Sequence, residues 1–264
     1  MKVTVTAAWL RNNLSSKNLM VLDARSRGAY RKSHILGAVH ADLFHYFVPG
    51  TDRKGLEIFQ KDLARRLGKM GLTGRETVIV YEAGFGMRAA RVAWMLEYAG
   101  AHKALLLEGG FRAWRSSRYP VEKRYVEPVP KTFQVKPAAR ILATANEICS
   151  SRSDVLLDVR SEGEFRGKEG RECDDRKGRI PRARWLEWTS FLHDGQRFKT
   201  GPEVRGILKE TGLSKRKPTV TYCHRGARAA AAFYALRSLG YENVKNYIGS
   251  WHEWSARKSL PVER

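Results

Sequence analysis

Short apolar runs alternate along the chain with longer segments in which apolar residues recur at helical spacing. Val21–Asp23, Val78–Tyr81 and Leu105–Leu107 have the length and composition of buried strands. Phe59–Lys69 and Arg88–Tyr98 have the pattern of helices that pack against a sheet. This alternation predicts an α/β fold, with a mostly parallel sheet covered by helices on both faces.

The chain contains an internal repeat of about half its length. Blocks of the first half recur in the same order in the second half: Asn18–Tyr30 with Ser153–Phe165, His34–His40 with Arg179–Trp185, Thr77–Leu96 with Thr219–Leu236, and Leu105–Glu122 with Val244–Glu263. Between the halves, Lys123–Ala139 carries Pro128, Pro130 and Pro137, and prolines at this density favour an extended connector. We therefore predict two domains of the same fold, residues 1–122 and 140–264, with a linker at residues 123–139.

One stretch of the second half, Pro218–Gly240, has the pattern of a strand that leads into a helix through a tight loop. The strand-like run ends at Cys223, an alanine-rich helical segment ends the stretch, and the loop between them consists of His224, Arg225, Gly226, Ala227 and Arg228. Backbone N–H groups at such a loop and helix start favour an anion. A cysteine in this setting, beside two arginines, is expected to act as a nucleophile, so we predict Cys223 as the catalytic residue.

The other two cysteines, Cys149 and Cys173, lie in less informative surroundings. We expect Cys149 to be a small buried side chain in a helix and Cys173 to be exposed and incidental. The three cysteines are far apart and form no Cys-x-x-Cys pair, which predicts neither a disulfide framework nor a metal site.

The charge balance narrows the class of partner. Lysine plus arginine exceed aspartate plus glutamate by 49 − 27 = 22, which suits a nucleic acid, a membrane surface or small anionic substrates. The basic residues are spread over both halves, so we interpret them as a solvated surface that attracts small anions and expect no nucleic-acid partner. No apolar run reaches membrane-spanning length and no targeting segment is visible, so we expect a cytoplasmic protein without membrane contact.

The sequence resembles a tandem-domain rhodanese, of the thiosulfate and 3-mercaptopyruvate sulfurtransferase family. The resemblance covers nearly the whole chain. It is carried by the cysteine loop, the Asp-x-Arg strand ends at 23–25 and 158–160, the His-Ile-Leu-Gly-Ala block at 34–38, the Gly-Gly-Phe-x-x-Trp block at 109–114 and the Gly-Ser-Trp-x-x-Trp block at 249–254.

The resemblance implies a double-displacement reaction that needs no cofactor and no metal. Cys223 takes the sulfane sulfur of an anionic donor, thiosulfate in the simplest case, as a persulfide and passes it to an acceptor such as cyanide or a thiol. The backbone of residues 224–228 is expected to bind the anion, and Arg225, Arg228 and Arg160 are expected to add positive charge. Glu82 occupies the position of Cys223 in the first half, and because a carboxylate cannot hold a persulfide, that half is expected to be catalytically silent.

Three departures from the family pattern leave the donor open. The Cys-His-Arg-Gly loop matches neither the Cys-Gly-Ser-Gly loop of members that prefer 3-mercaptopyruvate nor the Cys-Arg-Lys-Gly loop of members that prefer thiosulfate. Glu164 stands where many tandem members have a donor-binding arginine, a role that Arg160 or Arg166 is left to fill. The usual Gly-Ala pair of the second half is Arg182-Ala183.

Two further alternatives differ in reaction class. Four residues separate Cys223 from Arg228, whereas the related cysteine-dependent phosphatases have one residue more, so the short loop favours sulfur transfer over phosphoryl transfer. A phosphatase-like enzyme stays the enzymatic alternative. A persulfide carrier whose basic surface docks RNA or a partner protein is the non-enzymatic one. The sequence leaves the oligomeric state open.

Overall fold

Two parallel sheets form the framework of the computed structural model, which describes residues 2–41, 43–151 and 153–264. The sheet of the N-terminal half has the strand order β1-β6-β5-β2-β4, and every neighbouring pair in it is parallel. Its strands are β1 (Thr4–Val5), β2 (Leu19–Asp23), β4 (Val39–His40), β5 (Thr77–Tyr81) and β6 (Lys103–Leu107). β2, β5 and β6 contain the three apolar runs that the sequence predicts as strands.

The C-terminal half repeats this arrangement with fewer strands. Its sheet has the order β13-β12-β8-β9 and is again parallel throughout. The strands are β8 (Val155–Asp158), β9 (Arg184–Trp185), β12 (Thr219–Tyr222) and β13 (Val244–Asn246). Because β12 lies between β8 and β13, its carboxyl end opens at the centre of the sheet edge, where loops of α/β sheets carry their sites.

Two short antiparallel pairs lie outside the main sheets. β3 (His34–Ile35) pairs with β7 (Val121–Glu122), and β10 (Leu192–His193) pairs with β11 (Arg197–Phe198) in a hairpin. The mostly parallel α/β architecture predicted from the sequence is confirmed.

Helices cover the sheets. They are α1 (Ala7–Asn13), α2 (Arg27–Lys32), α3 (Arg53–Lys69), α4 (Met87–Tyr98), α5 (Gly110–Ser116), α6 (Ala145–Ser150), α7 (Glu162–Phe165), α8 (Gly201–Thr211), α9 (Ala227–Ser238) and α10 (Ser250–Ala256). α1, α2, α3, α6 and α7 each begin at a side chain that accepts an N–H of the first turn. 3₁₀ turns occupy Ala139–Ile141 and Trp188–Phe191. α3 begins earlier than the apolar pattern indicates, because Asp52 accepts a hydrogen bond from the Gly55 N–H and starts the helix there. None of the described helices is both long and apolar enough to cross a bilayer.

The segment between the halves is bound to the N-terminal half along much of its length. Residues 123–138 are all described and contain no helix or strand, as the prolines predict. The Lys131 N–H donates to the Gly68 carbonyl and the Lys136 N–H to the Ala99 carbonyl, both at 2.9 Å. Phe133 is buried against the same surface. The segment is therefore an extended but packed connector.

The two halves meet where α4 packs against α9. Nine of the twelve residues of α4 and ten of the twelve of α9 are buried, and a single hydrophobic core runs from one half into the other. The small side chains of α9, Ala229 to Ala232 above all, permit this close approach. At one end of the contact, the Glu97 carboxylate of α4 accepts hydrogen bonds from Tyr234 and Arg237 of α9.

A buried aspartate–arginine pair lies at the end of β2 in the N-terminal half and at the end of β8 in the C-terminal half. Asp23 binds the Arg25 guanidinium at 2.6 Å, and Asp158 binds that of Arg160 at the same distance. Each aspartate also accepts the N–H of its arginine, and Tyr81 donates to Asp23 at 2.6 Å. The pair therefore fixes the turn that leaves the strand in both halves.

We expect Asp23→Asn to lower the free energy of unfolding by about 3–5 kcal/mol, because Arg25 is then a buried cation without a carboxylate. Denaturant unfolding measures this change. Glu57→Gln is the matched control: it breaks an ion pair with Arg53 that is largely exposed, and should cost at most about 1 kcal/mol. A loss as small as the control's in Asp23→Asn would contradict a structural role for the buried pair.

Candidate active site

The cysteine loop adopts the strand–loop–helix geometry that the sequence predicts. Cys223 follows β12, its side chain is 1 % exposed, and α9 begins at Ala227. The Gly226 N–H donates to the Cys223 Sγ at 3.1 Å. Gly226 has φ +80°, and a Cβ atom there would lie 2.9 Å from the backbone of Ile248, so both backbone conformation and space require glycine.

A second loop, at the start of α10, holds the cysteine loop from behind. Ser250 Oγ accepts the Cys223 N–H at 3.1 Å and donates to the Tyr247 carbonyl at 2.6 Å. The Trp251 N–H donates to the Cys223 carbonyl at 2.9 Å, and the His252 N–H donates to the His224 carbonyl at 3.0 Å. The backbone on either side of the sulfur is thus fixed by direct hydrogen bonds.

A cavity of about 550 Å³ opens in front of the sulfur, between the two halves of the chain. Aromatic side chains form part of its wall, and its polar lining is entirely basic or sulfur-bearing. The lining consists of Phe44, His45, Phe47, Met87, Arg91, Arg171, Cys173, Trp188, Cys223, His224, Arg225, Ala227 and Arg228. A cavity lined by arginines and histidines without a carboxylate favours an anionic ligand.

Arg228 lines this cavity but is already paired. Its guanidinium makes a two-point ion pair with Glu164, at 2.6 and 2.9 Å. Burial opposes the charge on Glu164, but the hydrogen bond and charge of Arg228 outweigh it and lower the pKa of this carboxyl to about 2. Glu164 therefore neutralises Arg228 where the family pattern has a further arginine.

Arg160, predicted to contact the substrate, lies elsewhere. It is 1 % exposed, does not line the cavity, and binds Asp158 and the Gly178 carbonyl, the latter at 2.8 Å. Its guanidinium also lies 4.7 Å from the Trp251 ring centre. Although burial disfavours its charge, Asp158 raises the pKa of Arg160 above the usual range. The assignment of Arg160 to substrate binding is therefore corrected: Asp158 and the Gly178 carbonyl hold its Nε and Nη2 away from the cavity. Arg166, the other candidate for that role, pairs on the surface with Glu162.

The two loop residues after Cys223 point into a polar network. His224 Nε2 lies 2.8 Å from Asp174 Oδ1, and both side chains are nearly buried. Burial opposes the charge on Asp174, yet the hydrogen bond and charge of His224 hold the pKa of Asp174 below its usual value. The Arg225 guanidinium lies 4.4 Å from the Phe47 ring centre and 3.1 Å from His252 Nε2.

Cys173 is exposed, as expected, but its position is not incidental. Its sulfur lies 3.9 Å from His224 Nε2 and 3.7 Å from Arg225 Nη2, at the wall of the cavity. Cys173, Asp174, His224 and His252 bring ligand atoms within 4.8 Å of one another, a spacing that a metal ion can bridge. The Arg225 guanidinium contacts two of these ligands, and its positive charge disfavours a second cation there.

Cys149, in contrast, is exposed in α6, so its expected burial is wrong.

Sequence reasoning missed Arg91, which reaches the site from the other half. It lies in α4, is 1 % exposed, and donates to the Arg225 carbonyl and, at 2.6 Å, to the Tyr46 carbonyl. The available signal was an arginine at a position where α4 is otherwise apolar, flanked by Ala89, Ala90, Val92 and Ala93.

The corresponding loop of the N-terminal half contains Glu82 at the end of β5. Its carboxylate accepts the Ala89 N–H of α4 at 2.8 Å, so a fixed side-chain oxygen occupies the anion-binding position of that helix. Burial raises the pKa of Glu82, with the loop N–H groups and Arg88 opposing the shift. A carboxylate thus accepts a backbone N–H after β5, where the sulfur of Cys223 accepts one after β12.

The rhodanese-like domain model matches the chain twice, at residues 6–117 and 142–257. A curated relative from Mycobacterium leprae, named "Putative thiosulfate sulfurtransferase", is 30% identical over 271 residues, which cover 99% of this chain and 97% of the relative. A crystal structure titled "Probable Thiosulfate Sulfurtransferase" is 33% identical with a TM-score of 0.77, and the match covers 94% of this chain and 98% of that one. The 3-mercaptopyruvate sulfotransferase SseA from Escherichia coli is 26% identical with a TM-score of 0.79 and coverage of 95% and 99%. The chain therefore belongs to the rhodanese-like family and contains two of its domains in tandem.

Proposed function

We propose that this protein is a sulfurtransferase that moves a sulfane sulfur from thiosulfate to cyanide or a thiol through a persulfide on Cys223. The observation that supports this most directly is the contact between the Gly226 N–H and the buried Cys223 Sγ, in a cavity whose lining contains no carboxylate. The names of the similar proteins, which include thiosulfate sulfurtransferases, agree with this reaction.

The reaction takes place in two displacements. In the first, the Cys223 thiolate attacks the outer sulfur of thiosulfate; a new S–S bond forms, the S–S bond of the donor breaks, and sulfite leaves with the electron pair. In the second, the acceptor attacks the outer sulfur of the persulfide. Cyanide leaves as thiocyanate, and the Cys223 thiolate is restored. No oxidant or cofactor enters the balance.

The negative charge moves from the Cys223 sulfur to the outer sulfur and back, so the site has to stabilise an anion at both positions. The Gly226 N–H and the start of α9 provide fixed donors without reorganisation during the reaction. Gly226 and Ala227 act through their backbone, and the side chain of His224, in the same loop, lines the cavity. These are electrostatic roles, and none requires a proton to be moved in the sulfur-transfer steps.

Among the cavity arginines, we assign donor binding to Arg225 and a scaffold role to Arg228. Arg225 has no carboxylate within ion-pair distance among the described pairs, whereas Arg228 is neutralised by Glu164. An arginine with a free charge attracts the sulfonate end of thiosulfate. The carboxylate of 3-mercaptopyruvate carries one charge fewer, which favours thiosulfate in a cavity this basic.

Cys223→Ser should reduce thiosulfate:cyanide turnover to the uncatalysed rate, because a serine hydroxyl cannot carry the sulfane sulfur. Thiocyanate production measures this. Cys149→Ser, at an exposed position in α6, is the control and should retain full activity. Turnover that survives in Cys223→Ser would refute the proposal, and a higher kcat/KM with 3-mercaptopyruvate than with thiosulfate would overturn the choice of donor.

Arg225→Gln should raise the KM for thiosulfate about tenfold, the equivalent of roughly 1.4 kcal/mol for one lost charge-assisted contact. Steady-state kinetics with varied thiosulfate measure this effect. Arg166→Gln removes an equal charge from the surface and should leave KM unchanged. Equal effects in the two variants would mean that only the overall field, and not Arg225 itself, attracts the donor.

The scaffold role of Arg228 predicts a pH-dependent contribution to stability. The pKa of Glu164 is about 2 in the folded chain, against an ordinary value of 4.5. The stabilisation is therefore complete above about pH 4.5 and is lost as the pH falls towards 2, because the unfolded chain takes up the proton first.

We expect the stability advantage of the native chain over Glu164→Gln to shrink by about 1 kcal/mol between about pH 6 and pH 3.5. Urea unfolding at several pH values measures it. Glu162→Gln, in the same helix but with an exposed partner, should show no such change. A constant difference between native chain and Glu164→Gln would exclude this ion pair as the source.

A further inference from the structure

Arg91 is a buried arginine without a carboxylate partner. It is 1 % exposed, and it occurs in none of the ion pairs formed by the residues that the structure describes. Its two terminal nitrogens donate to the Arg225 and Tyr46 carbonyls, while its Nε is buried and has no hydrogen-bond partner among the described residues. A buried cation of this kind is costly unless an anion lies near it.

The other buried arginines of the described chain all have such an anion. Arg25 pairs with Asp23, Arg160 with Asp158 and Arg237 with Glu97. The fold therefore supplies a carboxylate wherever it buries a guanidinium, and Arg91 is the exception. The exception lies at the cavity of Cys223 and not in the general core.

The group that can supply the missing negative charge is the sulfur of Cys223. Both residues line the same cavity. Burial lowers the pKa of Arg91 to about 10, and negative charge on Cys223 opposes this shift. The nearby Arg225 adds to the lowering and so cannot serve as a counter-charge.

We propose that Arg91 is the counter-ion of the Cys223 sulfur, so that the catalytically silent N-terminal domain supplies a cation to the active site of the C-terminal domain. The ligand of Arg91 is a sulfur anion: the thiolate in the free enzyme and the outer sulfur of the persulfide after the first displacement. This assignment rests on the proposed role of Cys223 as the nucleophile.

The other charged or titratable groups around the cavity do not replace Arg91. They are His45, Arg171, Cys173, His224, Arg225 and Arg228. Negative charge on Cys223 also raises the pKa of Arg228, but the two-point ion pair with Glu164 already neutralises that arginine. His224 is paired with Asp174, and Arg225 is directed towards Cys173 and His252. Arg171 is exposed, so water screens its charge. Arg91 is the buried cation held by a rigid helix of the facing domain.

The position of Arg91 also couples the two domains. Its hydrogen bond to the Arg225 carbonyl connects α4 to the cysteine loop, and its bond to the Tyr46 carbonyl connects α4 to the segment before α3. Arg91 is therefore a positioning residue for the loop as well as its electrostatic partner. Only the electrostatic role depends on charge, which provides a way to separate the two.

The test is the alkylation of Cys223 by iodoacetamide without any sulfur donor, with the Cys223 peptide quantified by mass spectrometry. The readout is the ratio of the alkylation rates at about pH 6.5 and pH 10, because this ratio reports the fraction of thiolate and is insensitive to access. We expect the ratio to fall about tenfold in Arg91→Met. Arg91→Lys, which retains the charge but not the two-pronged hydrogen bonding, should stay within about threefold of the native chain.

Arg237→Met is the matched control, because it removes another buried arginine between α4 and α9 that pairs with Glu97 away from the cavity. It should leave the ratio unchanged. Thermal denaturation verifies folding, and Arg91→Gln replaces Arg91→Met if the latter is unfolded. An unchanged ratio in Arg91→Met or Arg91→Gln, or an equal fall in Arg91→Lys, would overturn the proposal. Because no donor is present, these results are independent of whether thiosulfate is the substrate.

Discussion

The burial of the Cys223 sulfur between the two halves is the constraint on which the rest of this site depends. Cys223 is almost inaccessible to water, so protein groups have to stabilise any negative charge on its sulfur. The loop supplies the Gly226 N–H, the start of α9 supplies the favourable end of a helix, and α10 fixes the backbone through Ser250. Each of these contributions requires a particular backbone position. The hydrogen bonds from α10 and from Arg91 in α4 keep the loop in that position.

The arginines around this sulfur divide according to their partners. Arg160 and Arg228 are neutralised by Asp158 and Glu164, so they shape the loop without attracting a ligand strongly. Arg225 and Arg91 have no carboxylate among the described ion pairs, and they face the cavity. The chain carries a formal charge of +22, but the count of arginines says little about the site. The attraction of an anion depends on which of these arginines lack an ion pair with a carboxylate.

The duplication gives the two domains the same framework, but the side chains at equivalent strand ends differ. Glu82 and Cys223 occupy equivalent ends of β5 and β12, and each side chain meets an N–H group of the following loop or helix. The Glu82 carboxylate fills its own anion position, whereas the Cys223 cavity stays open to a ligand. The contact of α4 with α9 brings the N-terminal half to the cavity at Cys223, where Arg91 is one of the residues that line it.

The sequence by itself determined the α/β fold and the duplication, and it predicts Cys223 as the nucleophile. These follow from apolar periodicity, from the recurrence of whole blocks, and from the local order of strand, Cys223, Gly226 and helix, all of which are encoded over short distances. Only the tertiary structure decided the partners of the charged groups. Arg228 meets Glu164 from 64 positions away, and Arg91 meets the Arg225 carbonyl across 134. Such pairs have no periodic signature in the sequence, because packing of the two sheets and of α4 on α9 decides which charges meet. For the same reason the sequence assigned Arg160 to the substrate and left Arg91 unnoticed.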